Sequence, residues 1–357
     1  MKNLHKTLYA VVSMLGFVLP AYAQNEIKGS GATFPALVYS TWAFGYAKEK
    51  GVGVNYKSTG SGEGIRSVSA REVDFGATDS PLSEVELKKQ SLMQFPTLVG
   101  GIVPVINLPG VAEGQLKLTG AALAAIFVGK VKTWNDPSIV ALNPALRLPN
   151  LKITRVVRED NSGTTEGFVT YLASAYPAWQ GGVGRKVDWL GEVRAAKGND
   201  GVGGLVKSTA GAIGYVSLDR VAKMGLTSVS LKNKSGQFVV ASEQSIAAAA
   251  TGSDLRRDLR ATLLNSDGPN TWPIADMTYI LVDARPKTAA DASRTLRFFY
   301  WAFLKGDEIV RGTGFAPLPP LIQARVVRQL SEVEPKDGKL IDLLGSRNSA
   351  FIFLAAR

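Results

Sequence analysis

Short apolar runs alternate along this chain with stretches whose apolar residues recur at helical spacing. Ile27 to Ser30, Val52 to Tyr56 and Val73 to Ala77 read as strands, each leading into glycine, serine or threonine. Pro35 to Lys48 and Glu63 to Ala70 carry the three- and four-residue recurrence of helices. Ile102 to Leu108, after Gly100-Gly101, is a continuous apolar run that can cross between two lobes. Leu151 to Val157 alternates like a strand, and beyond the next turn Phe168, Tyr171, Leu172 and Ala175 repeat at i, i+3, i+4 and i+7. Met277 to Asp283 predicts a strand. Ala289 to Leu304 predicts an amphipathic helix with Leu296, Phe299, Tyr300 and Phe303 on one face. This alternation predicts an α/β architecture. It accommodates a first lobe interrupted by a second and completed by the C-terminal part, without forcing that arrangement.

The opening residues break the pattern. Lys2 and Lys6 form a basic start, Leu8 to Leu19 an apolar stretch, and Ala21-Tyr22-Ala23 a small-x-small site, which together predict an export signal over residues 1–23. The apolar stretch falls short of the roughly 20 residues a membrane span needs. Cleavage after Ala23 leaves 334 of the 357 residues, starting at Gln24, with no cysteine there to take a lipid. The expectation is a soluble periplasmic protein. Cleavage also removes His5, the single histidine, and the chain has no cysteine. Ser-His-Asp and Cys-His catalysis, thiolate or imidazole zinc sites and disulfides are thereby excluded. Carboxylate metal sites and carboxylate acid–base chemistry stay open. The formal charge of +11 becomes +9 without the two signal lysines, and the cations are scattered among acids. That speaks against nucleic acid, whose partners cluster their cations. A diffuse positive field instead favours encounter with small anions. A chain this long has a large core available and is expected to split into two lobes.

Three turns carry the candidate chemistry. The sharpest is Arg158-Glu159-Asp160-Asn161-Ser162-Gly163-Thr164-Thr165, where a fixed cation precedes a small-residue turn that opens a helix. Free N–H groups and the positive dipole end of a helix start attract anions, and a planar guanidinium adds a fork for an oxyanion. Asp160 can hold that fork; a surface ion pair of Arg158 with Glu159 or Asp160 is the alternative. In Gly31-Ala32-Thr33-Phe34-Pro35, Pro35 suits a first helical turn and Thr33 a cap, with or without a ligand. Gly60-Ser61-Gly62-Glu63-Gly64 combines a serine cap with glycines that admit close approach. Asp79 follows a strand, at the edge where open α/β sheets bind ligands, or else caps the next helix. No G-x-x-x-x-G-K-[ST] occurs, and the Gly198 to Gly204 stretch lacks the last small residue of a dinucleotide fingerprint. It reads as a helix start capped by Asn199 or Asp200.

Taken together, these segments resemble the periplasmic phosphate-binding proteins of bacterial phosphate ABC transporters. The likeness runs through Gly31 to Pro35, Asn55-Tyr56, Gly60-Ser61, Val73 to Asp79, Phe95-Pro96-Thr97, Trp134-Asn135-Asp136, Arg158 to Thr164, Gly198 to Gly201, Gly211 to Tyr215 and Trp272-Pro273-Ile274. It spans essentially the whole mature chain in order. It implies a two-lobed periplasmic binding protein fold of type II, with a discontinuous first lobe (24–105 and 275–357), a second lobe (106–274) and a ligand cleft between them. It implies a ligand shell of Thr33, Phe34, Ser61, Asp79, Arg158, Ser162, Gly163 and Thr164, in which the aspartate accepts a hydrogen bond from the proton that phosphate carries. No catalytic residue, metal or cofactor is implied. The partners are inorganic phosphate and ABC permease subunits in the inner membrane, and the protein is a monomer. Gly62 and Val157 depart from relatives that carry serine and arginine there, and the apolar end Ser349 to Ala355 is expected to dock on the first lobe. Rival readings are the same fold tuned to a sulfate-like oxyanion, a phosphoryl-transfer enzyme with Asp79 or Ser61 as nucleophile, and an adhesive surface protein that keeps the fold.

Overall fold

The structure, a computed structural model, describes residues 26–345. The export signal and the apolar C-terminal end lie outside the described residues. Three strands lead the chain: β1 (Ile27–Gly31), β2 (Val54–Ser58) and β3 (Phe75–Thr78). They pair in parallel in the order β2-β1-β3, joined by helices α1 (Ala36–Lys50) and α2 (Ser61–Ser69). Parallel neighbours need such crossovers, so each strand runs directly into a turn at the same sheet edge. The three candidate residues Thr33, Ser61 and Asp79 all stand there.

The next strand, β4 (Leu92–Ile106), is 15 residues long and joins two halves. From Leu92 to Gly101 it pairs antiparallel with the strand Ala275–Asp283, which also borders β3. From Ile102 to Ile106 it pairs instead with Ala212–Ser217. That strand leads on, in parallel, to Thr154–Arg158, which pairs with Arg194–Ala196. The chain thus leaves the first half along β4, builds the second, and returns along Ala275–Asp283. The strand changes partner at Ile102, where the apolar run begins, though it starts ten residues earlier than that run suggested.

Each half has its own aromatic core. In the first, Tyr56 stacks on Phe75, and Phe299 meets Phe75 and Phe95 edge-on. Phe299 belongs to the helix Ala289–Lys305, whose buried face is wider than expected: Phe298 and Trp301 are buried, while Tyr300 is only half-buried. In the second, Phe168 stacks on Tyr215 with ring centroids 4.2 Å apart. Among the described residues no helix is long and apolar enough to cross a membrane.

Candidate functional site

The Arg158 turn forms as its sequence suggests. The strand Thr154–Arg158 ends in the turn, and the helix Gly163–Ala175 begins after Ser162, whose hydroxyl oxygen accepts from Thr165 N–H at 3.1 Å. The Arg158 side chain is 1% exposed, so the surface ion-pair reading fails. Asp160 grips it with both carboxylate oxygens, accepting from Nε at 2.8 Å and Nη2 at 2.5 Å. Asp160 Oδ1 also accepts from Gly198 N–H at 3.0 Å. Burial pushes the Asp160 carboxyl up, but the Arg158 bonds and charge more than offset it, leaving the group below the usual carboxylate range.

The other two turns meet this one. Thr59 and Gly60 N–H donate to Gly31 O at 2.9 and 2.8 Å, tying the first turn to the second. Gly62 N–H donates to Asn161 O at 3.0 Å, tying the second to the third. Ser61 Oγ accepts from Gly163 N–H at 3.1 Å and from Asp79 N–H at 3.3 Å. Thr164 Oγ1 donates to Asp79 Oδ2 at 3.3 Å. Such closeness excludes larger residues. A Cβ on Gly163 would stand 2.7 Å from both Asp79 Cβ and Ser61 Oγ, and one on Gly60 would stand 2.5 Å from Asp160 Oδ2. Thr33 closes the ring, its Oγ1 accepting from Asn199 Nδ2 at 2.8 Å and Asn199 N–H at 3.3 Å.

Four of the expected caps are not caps. The first helix begins at Ala36 with Pro35 at its N-cap and no capping side chain, because Thr33 faces Asn199 instead. Ser61 is the first residue of α2, with Gly60 as N-cap, so its hydroxyl is free for Gly163. Ser83, not Asp79, caps the helix Glu84–Gln90. The helix Gly198–Ser208 starts after Lys197 with no side-chain cap, since Asn199 reaches Thr33 and Asp200 pairs with Arg220. Asn199 is the residue that sequence reasoning assigned elsewhere. Its signal was the glycine on either side of Asn199-Asp200, which allows a turn to come close to another.

All eight candidate residues therefore share one buried site. Phe34 sends its ring into the core, 5.1 Å from Phe315, so only its main chain faces the turns. The N–H groups of Thr33, Phe34 and Ser61 donate to no atom among the described residues, and that of Thr164 lies in an uncommitted first helical turn. Among the described residues, three side-chain atoms are buried there with no hydrogen-bond partner: the donor Arg158 Nη1, the acceptor Asp79 Oδ1 and, beside Asp79, the Thr278 hydroxyl. Burial pushes the Asp79 carboxyl up to about 7, against the pull of Thr278, Arg158, Thr164 and Ser61. The arrangement offers one guanidinium edge, several N–H groups and hydroxyls, and a single acceptor. It suits a small anion that itself carries a proton.

The family model for the PBP superfamily domain matches residues 20–304. The phosphate-binding protein PstS of Haemophilus influenzae is 41% identical over 315 residues, covering 87% of this chain and 94% of its own. The chain belongs to the PstS family. A second PstS protein of that name, from Xylella fastidiosa (strain Temecula1), is 41% identical over 299 residues, covering 83% of this chain and 82% of its own. Among solved structures, a high affinity periplasmic phosphate-binding protein bound with phosphate has a TM-score of 0.68 at 22% identity, covering 84% of this chain and 92% of that one. That likeness shows the fold: the two-lobed type II periplasmic binding protein, as the PstS resemblance implied.

Proposed function

We propose that this chain binds inorganic phosphate in the periplasm and delivers it to the permease of an ABC-type importer. The observation that carries the reading is the buried pair of uncommitted atoms, Arg158 Nη1 and Asp79 Oδ1. Monohydrogen phosphate answers both, presenting an oxygen to the guanidinium and its own proton to the carboxylate. The free N–H groups of Thr33, Phe34, Ser61 and Thr164 and the hydroxyls of Thr33, Ser61 and Ser162 then serve the remaining oxygens, while the Thr164 hydroxyl stays on Asp79 Oδ2. Gly163 supplies the close approach, and its N–H is already held by Ser61. Support comes also from the PstS relatives, which are named for the same ligand and covered almost end to end.

In this reading the lobes are 24–105 with 275–357, and 106–274, and they close on the ligand. The change of β4's partner between Gly101 and Ile102 supports that division. Residues 1–23 act as the export signal, cleaved after Ala23. The receptor works as a monomer and not as an enzyme.

Sulfate carries no proton at neutral pH, so it would set an oxygen against Asp79 with nothing between them. Buried polar groups left unpaired cost enough to discriminate by roughly 10⁴-fold. Calorimetry at pH 8 with phosphate and with sulfate tests this. Phosphate is expected to bind and sulfate to give no heat, while Asp79→Asn narrows the gap. A wild-type chain that binds sulfate as tightly, or neither anion, overturns the reading. Undiminished sulfate rejection by Asp79→Asn overturns the role given to Asp79.

A further inference from the structure

Asn199 is not among the eight candidate residues, yet every polar group of its side chain is engaged. It is fully buried, and its Oδ1 accepts from Ser217 N–H at 3.0 Å. That bond fixes which end of the amide is which, so Nδ2 is the end that faces Thr33. Nδ2 donates to Thr33 Oγ1 at 2.8 Å, and Asn199's own N–H donates to the same oxygen at 3.3 Å. A hydroxyl oxygen has two lone pairs. With both taken by N–H donors, the Thr33 hydroxyl hydrogen can only point away as a donor.

We propose that Asn199 is a positioning residue with two linked effects: it makes the Thr33 hydroxyl an obligate donor to the anion, and it latches the lobes together. The inference rests on the phosphate-receptor reading above. Thr33 stands in the turn between β1 and α1, in the first lobe, and Asn199 lies 166 residues away in the second. The bond therefore exists only when the lobes meet. The preceding residue shares the task, because Gly198 N–H donates to the Asp160 carboxylate that grips Arg158. One dipeptide thus sets both the guanidinium and the hydroxyl.

The test is phosphate calorimetry at pH 8 on the mature chain, with melting of the phosphate-free protein alongside. Asn199→Ala removes the side-chain donor and is expected to weaken phosphate about tenfold. Asn199→Asp keeps the acceptor for Ser217 N–H but turns the other end into an acceptor. The Thr33 hydrogen then swings to the carboxylate, away from the anion, and a like charge is added. The expected loss is about a hundredfold or more. In a Thr33→Ala background, Asn199→Ala should cost no more than about twofold further, since the two act through one hydrogen bond. A purely structural role would instead lower the phosphate-free melting temperature and cost the same tenfold in either background. That result, or an Asn199→Asp variant binding phosphate like wild type, overturns the proposal while leaving the receptor reading intact. Absence of phosphate binding by the wild-type chain overturns both.

Discussion

Asp160 occupies the Nε and Nη2 edge of Arg158 through two bonds of 2.8 and 2.5 Å, which leaves Nη1 as the part of the guanidinium that faces the site. The carboxylate thus aims a cation instead of merely neutralising it. A lysine has no planar fork, so Arg158→Lys cannot bond Asp160 on one edge and an anion on the other. Hydrogen bonds to charged groups are worth about 1.5–3 kcal/mol. Phosphate affinity is therefore expected to fall about ten- to hundredfold, read by calorimetry. Affinity equal to wild type would show that Arg158 does not face the ligand.

Gly163 separates closure from folding. An added methyl would collide at 2.7 Å with Asp79 Cβ and Ser61 Oγ, both in the turns that follow β2 and β3 and in the other of the two proposed lobes. In the helix itself, alanine is the better residue by up to about 1 kcal/mol. Gly163→Ala should therefore melt no lower than wild type without phosphate, yet lose most of the phosphate-induced rise in melting temperature. A normal rise would mean the turns need not come this close.

With the turns together as described here, Asp79 makes the fold sensitive to pH, and the sign follows from its raised pKa. Burial moves the carboxyl from 3.8 to about 7, so between those values the folded chain holds a proton that the unfolded chain has released. Stability then falls as pH rises from about 4 to about 7 and is level in this respect above that. The contribution is on the order of 4 kcal/mol. Denaturant unfolding of wild type and Asp79→Asn at pH 5 and pH 8 isolates it from other groups. The variant should lose most of this dependence; parallel behaviour would rule out a burdened Asp79.

Phe34 depends on a glycine far away in the chain. A Cβ on Gly100 would fall 2.5 Å from the Phe34 ring and 2.6 Å from that of Phe315. Overpacking a filled core typically costs about 1–3 kcal/mol. Gly100→Ala is expected to lose that much by urea denaturation and also to weaken phosphate, because moving the ring drags the Phe34 N–H. A loss of stability with unchanged affinity would detach the core from the site.

Local chemistry was legible in the sequence; long-range company was not. The Arg158 turn could be read directly because its cation, capping serine and helix are consecutive. The strands of the first half could be read from alternation, with boundaries moved by one or two residues, while their order in the sheet came only with the fold. Thr33, Ser61 and Asn199 were read as caps because a hydroxyl or amide beside a helix start usually is one. Each proved to be held by a partner 102 or 166 residues away, or to hold one. Nothing local encodes such a partner, and only the glycines that permit contact hinted at it. The face of Ala289–Lys305 was misjudged for a similar reason. Trp301 is buried because its indole reaches Glu49 on α1, a neighbour that helical spacing alone does not reveal.

Strand β4 trades one antiparallel neighbour for another at Gly101 without stopping. A swing of the second half about the first must pivot near that exchange, so displacement grows toward the outer rims and vanishes along the strand. In hydrogen–deuterium exchange the amides of Leu92 to Ile106 should stay slow whether or not anion is present. A fluorophore grafted there would be blind to the motion. Because the mature chain has no native thiol, one cysteine placed at a rim would report it without interference.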